Sequence, residues 1–177
     1  MKKLIAVGLV AAVAAGGWKL THRSATDDGG TKVTDRLWID HMPKNDRDLH
    51  DAFLVLTKNP RGKKMNIGVI QRSSAWTGQF NVFKHEVSGN QLKLTFPQNG
   101  HSVTVKTEVK RCKEGQFDLC LDITNQRGNT MHFYSNSKWT IGSEADARAI
   151  EQQLLSDVPA APADYVPSTT NEFQLDQ

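Results

Sequence analysis

From about residue 34 to residue 139, apolar and polar residues alternate in short runs, each closed by turn-forming residues. A period of two puts the apolar side chains of each run on one face of an extended strand. That pattern fits antiparallel sheet far better than helix. Eight runs fit: 36–41, 52–57, 65–71, 78–84, 91–96, 102–111, 117–124 and 131–139. Between them stand Asn59-Pro60-Arg61-Gly62, Ser88-Gly89-Asn90, Gln98-Asn99-Gly100, Glu114-Gly115 and Gln126-Arg127-Gly128-Asn129, all residues that tolerate turn backbone. Links this short make an up-and-down meander, whose exposed edges are most simply removed by closing the sheet. The expected fold is therefore all-β, an eight-stranded antiparallel meander closed into a small barrel, with a β-sandwich as the alternative.

One helix follows. Ser143-Glu144-Ala145-Asp146 has the form of a capping box, and Ala147, Ile150, Leu154 and Val158 recur at helical spacing, so residues 143–158 should pack one apolar face on the β domain of residues 34–142. Beyond it, residues 159–177 are Pro-containing, acidic and aperiodic, the composition of a disordered tail.

At the other end, Lys2 and Lys3 precede an apolar run from Leu4 to Ala15, with small residues around Ala14 to Gly17. Residues 1–18 thus have the form of a secretory signal peptide, with an N-terminal membrane anchor as the competing expectation. Residues 19–33 read as a polar linker. Export to the periplasm or cell envelope makes the two cysteines meaningful, because thiols there tend to pair. Cys112 and Cys120 are even-numbered on strands whose apolar residues are odd-numbered, Val103, Val105 and Val109 against Phe117, Leu119, Leu121 and Ile123. They share the opposite face and can meet across the hairpin in a disulfide, which would stabilise the fold by roughly 2.5 kcal/mol on the chain-entropy model.

Composition narrows the function classes. With 38% hydrophobic and 23% charged residues and two cysteines, the chain is neither a disulfide miniprotein nor a multi-span membrane protein. The net charge of +3 conceals a basic body and an acidic tail: residues 143–177 hold Arg148 alone against seven acids. Such a body favours an anionic surface as partner, and nucleic acid is a poor candidate for an exported chain. No nucleophile elbow, phosphate-binding glycine loop or thiol–imidazole motif occurs, so neither a catalytic residue nor a cofactor is expected. The densest ionisable stretch runs from Asp40 to Asp51. Its Asp40, His41, Asp46 and His50 suggest a metal-dependent hydrolase as an alternative, although their spacing matches neither an EF-hand nor a zinc-helix motif and favours a polar connection instead. His22, His85, His101 and His132 are scattered, with no pair at ligand spacing on one element.

The aromatic residues carry more information. Trp38, Trp76, Phe80, Phe96, Phe117 and Phe133 fall on strands or their ends and form the candidate ligand-binding set. Phe80 and Phe83 cannot both face inward on a regular strand, and neither can Ile70 together with Ile67 and Val69.

An exported chain with eight antiparallel strands, an early Leu37-Trp38-Ile39 and a helix after the last strand resembles the lipocalin-like barrels over residues 34–158. Those proteins carry a glycine two residues before the tryptophan, where this chain has Arg36. The resemblance implies a barrel that binds an apolar or amphipathic small molecule without catalysis. The other expectation is an envelope adaptor or structural module that docks on an anionic partner through its basic face.

Overall fold

A computed structural model of the chain describes residues 32–59, 62–75, 77–156 and 158–166. The expected leader, most of the linker, Trp76 and residues 167–177 lie outside them. The sheet is a closed barrel with strand order β1-β2-β3-β4-β5-β6-β7-β8, every neighbour antiparallel. The strands are β1 (Leu37–Ile39), β2 (His50–Lys58), β3 (Lys64–Ser73), β4 (Gly78–Ser88), β5 (Gln91–Thr95), β6 (Ser102–Glu114), β7 (Phe117–Thr124) and β8 (Thr130–Ser135), followed by helix α1 (Glu144–Ser156). The sandwich alternative is not formed, because β1 joins both β2 and β8.

Two kinds of strand make up the barrel. On β7 burial alternates strictly between buried and half-buried residues, and β5 behaves similarly; one face is core and the other wet. On β1 and β2, consecutive residues such as Leu37, Trp38 and Ile39, or Ala52, Phe53, Leu54 and Val55, are all buried. These strands are covered on both sides: the barrel interior takes one parity, and a second apolar layer takes the other.

The interior is filled by side chains. Trp38, Phe53, Phe83, Phe133, Leu92, Leu94, Leu121 and Ile123 are all essentially inaccessible to solvent. Phe53 stacks on Phe83 at 5.8 Å between ring centroids and tilts against Phe133 at 5.9 Å, while Phe96 meets the edge of Phe83 at 5.9 Å. The Trp38 indole donates to the Val33 carbonyl at 2.9 Å, which satisfies its buried N–H.

The second layer unites Leu37, Ile39 and Ala52 with Phe117, Trp139, Ile150 and Leu154. It lies where α1 crosses the outside of the barrel. The helix begins as its sequence predicts. The Ser143 hydroxyl accepts from the Asp146 amide at 3.3 Å, and the Asp146 carboxylate accepts from Ser143 Oγ at 2.8 Å and from the Gly142 amide at 3.0 Å. Ala147, Ile150 and Leu154 form its buried face. Cys112 and Cys120 form the expected disulfide on the outer face of the β6–β7 hairpin, their Cα atoms 5.8 Å apart.

Candidate functional site

The barrel closes at a short seam. β1 contributes three residues and pairs with β8 only through Ile39 and Tyr134, with an isolated bridge between Arg36 and Thr140 beyond. Side chains and backbone stitch the rest: Ser135 Oγ donates to the Leu37 carbonyl at 2.6 Å, the Leu37 amide to the Trp139 carbonyl at 3.2 Å, and the Ile141 amide to the Asp35 carbonyl at 2.8 Å. Asp35 takes a left-handed φ of 57°, which aspartate tolerates, and its Oδ1 accepts from the Thr57 amide at 2.8 Å.

Beside this seam, between α1 and the outer face of β1, β2 and β3, lies a partly open cleft with a cavity of about 40 Å³. Leu37, Ile39 and Ala52 form its barrel wall, and Ala147, Leu154 and Leu155 its helical wall. Four polar side chains interrupt this apolar lining, Glu151 on α1 and three on the strands. His50 and Ser73 face each other across the β2–β3 register, and Gln71 stands opposite Ala52 in the next pair on the same face. They are 8%, 1% and 3% exposed respectively. His50 Nδ1, Gln71 Oε1 and Ser73 Oγ each lack a hydrogen-bond partner. Buried polar atoms of that kind normally cost about 1–3 kcal/mol apiece, so three on one small patch need an explanation.

Electrostatics keep this patch from being cationic. Burial is the main influence on His50 and lowers its pKa below the ordinary 6.5, against the opposing pull of the Asp40 carboxylate and a hydrogen bond with the Asp48 backbone. The ring is thus held neutral.

The stretch from Asp40 to Asp51 connects β1 to β2 beside this cleft, to which Pro43 and His50 contribute. Asp40 Oδ1 accepts from the His41 amide at 2.8 Å and the Asp51 amide at 2.9 Å, and contacts His41 Nδ1 at 3.0 Å. His41 Nε2 lies 3.4 Å from Asp48 Oδ2. The Asp40 hydrogen bond is the main reason the His41 pKa is raised, in spite of burial. Burial pushes the Asp48 carboxyl up, but hydrogen bonds from the Lys44 amide and the Tyr165 hydroxyl, with the nearby His41, bring it net below the ordinary value. Asp51 shares the Phe53 face of β2, and burial first, then Asp40, push its pKa up to about 6, with Arg72 3.9 Å away.

This stretch also anchors the chain that leaves α1. The Asp46 amide donates to the Pro159 carbonyl at 2.9 Å, Asp46 Oδ1 accepts from the Ala161 amide at 2.7 Å, and the Tyr165 hydroxyl donates to Asp48 Oδ1 at 3.0 Å. Residues 159–165, which by composition belong to a mobile tail, are therefore strapped to the barrel. The aspartates that hold them lie more than a hundred positions earlier in the chain, beyond any local pattern.

The sequence-derived candidates are dispersed. Trp38 and Phe133 lie in the barrel interior and Phe96 packs against it. Phe80 is on the outer face of β4 and 52% exposed. Phe117 stacks on Tyr134 at 5.4 Å and meets Trp139 edge-on at 5.7 Å in the outer layer. They form no common wall, because strand alternation sends them to different faces. Asp40, His41, Asp46 and His50 are not a ligand set either: among the described residues no three His, Cys, Asp or Glu side chains are placed to hold a metal ion. Asp46 is turned to Ala161 and His50 to the cleft. His85 is buried with Nε2 2.9 Å from the Leu56 carbonyl, and His132 is on the outer surface beside Asp122 at 2.7 Å. Of the cleft's polar residues only His50 stood out in sequence. Gln71 and Ser73 carry a weak signal, being polar residues on the otherwise apolar Ile67–Val69 face of β3.

No known family, no curated protein and no solved structure matches the chain.

Proposed function

We propose that this is an exported, non-enzymatic protein of the cell envelope that binds an amphipathic small molecule on the outside of its barrel, in the cleft beneath α1. The carrying observation is the set of unpartnered polar atoms on His50, Gln71 and Ser73 at the base of an apolar cleft. A binding site of this kind combines apolar walls with a few convergent polar groups that orient the ligand. The filled interior supports a site on the barrel rather than within it, since ring stacking along the axis leaves the aromatic residues engaged with one another. Leu37, Ile39 and Leu154 supply the apolar contact, and the polar patch supplies the orientation.

Native mass spectrometry of protein extracted from envelope fractions, together with displacement of a fluorescent lipid analogue, tests this proposal. Binding should weaken when Leu154 or Leu155 is replaced by a polar residue and persist when Phe96, which packs against the barrel interior, is changed to leucine. Binding that depends on Phe96 and ignores the helix would refute the cleft as the site.

A further inference from the structure

Resting on the cleft as the binding site, we infer that its ligand carries a small, neutral, hydrogen-bond-donating head, such as a hydroxyl or a primary carboxamide, on an apolar chain, and that it excludes carboxylates and phosphates. Three observations lead there.

The first is the balance of donors and acceptors. Gln71 Oε1 can only accept. His50 is neutral and hydrogen-bonded to the Asp48 backbone carbonyl. Its unpartnered Nδ1 and the Ser73 Oγ each serve in either sense. A head that donates answers Gln71 Oε1, and the imidazole and the serine adapt to it. A carboxylate offers acceptors alone and a phosphate chiefly acceptors, and either would face Gln71 Oε1 with repulsion.

The second is charge. Among the described residues lining the cleft there is no lysine or arginine, and the one carboxylate is Glu151 on α1. The neighbouring Asp40 and Asp48 add negative potential at His50. An anion would be desolvated without a counter-charge, which disfavours its binding.

The third is size. A cavity of about 40 Å³ accommodates roughly three water-sized groups. That admits a hydroxyl or an amide and is too small for a sugar or a phosphodiester. The apolar chain would lie along Ile141 and Leu155, half-buried apolar residues of the lining.

The experiment compares 1-decanol, decanamide, decanoate and decyl phosphate as competitors of N-phenyl-1-naphthylamine on the full chain at neutral pH. The alcohol and the amide should displace the probe at concentrations about tenfold lower than the two anions, the worth of one buried hydrogen bond. Gln71→Leu should erase that preference, and Ser73→Ala, the milder variant, should reduce it, circular dichroism confirming that each folds. Decanoate or decyl phosphate competing as well as decanol would overturn the head-group assignment and leave the binding cleft standing. Failure of all four to displace a probe that itself binds elsewhere would overturn both.

Discussion

The ring of Phe83 fills the space into which a side chain on its cross-strand partner Gly68 would project. The two residues are paired in the β3–β4 register, and a Cβ built on Gly68 would overlap the ring and stand 2.6 Å from the Leu54 carbonyl oxygen. Phe83 in turn stacks on Phe53, so the ring cannot withdraw without disturbing the axis of the barrel. Gly68→Ala should lower stability by about 3 kcal/mol or prevent folding, as overpacking of a closely fitted core does. Urea denaturation followed by tryptophan fluorescence measures it, and a loss below about 1 kcal/mol would contradict this packing.

Removing an orphaned hydroxyl is expected to do the opposite. Ser73 is 1% exposed and its Oγ has no partner, so Ser73→Ala should raise stability by about 1 kcal/mol with an unchanged denaturant slope. A gain in stability alongside weaker ligand binding is the pattern of a residue kept for function. A variant that loses stability would show that the hydroxyl serves the fold.

Asp51 makes stability depend on pH in a definite direction. Its folded pKa is raised from 3.8 to about 6, so the folded state binds its proton more tightly than the unfolded chain does. The contribution is fully present below about pH 4 and is lost as pH rises through about 6. Allowing for solvent screening of its partly exposed carboxyl, the ionised form costs about 2 kcal/mol at neutral pH. Asp51→Asn should therefore be more stable than the parent at pH 7 and equal to it near pH 3.5. Thermal unfolding of both proteins across that range checks this, and parallel profiles would disprove it.

Replacing Cys112 and Cys120 together by alanine should cost about 2.5 kcal/mol, since the bridge closes a short loop across a separation of 8 residues. Neither cysteine lines the cleft, so ligand displacement is expected to be unchanged in the folded variant. A changed displacement curve would tie the hairpin to the cleft.

Much of the architecture was legible in residue order because strand alternation is a local property. Phe80 and Phe83 were expected to face opposite ways, and Phe83 is buried while Phe80 is outside. The helix was expected to pack on the β domain, but residue order did not place it over Leu37, Ile39 and Ala52, whose cover from outside breaks the alternation on β1 and β2. The site was far less legible. The relation of His50 to Ser73 and Gln71 depends on β2–β3 register. The choice of the outer over the inner face depends on how completely Phe53, Phe83 and Phe133 fill the centre. Tyr165 reaching Asp48 is a contact between distant segments. Phe117 shows the limit within a strand: as the first residue of β7, next to a register irregularity, it joins Tyr134 and Trp139 in the outer layer despite sharing the odd parity of Leu119 and Leu121.

Leu37 and Ile39 serve two structures at once. They are outward residues of the shortest strand, the one through which the ring is joined, and they also form the wall on which α1 rests. A molecule wedged against them would press on the joint itself, and lifting the helix to admit a longer chain would strip that joint of its backing. Occupancy of the groove should therefore be felt as a change in how readily the cylinder unzips, making slow amide exchange at Leu37 and Ile39 a gauge of cargo as much as of folding.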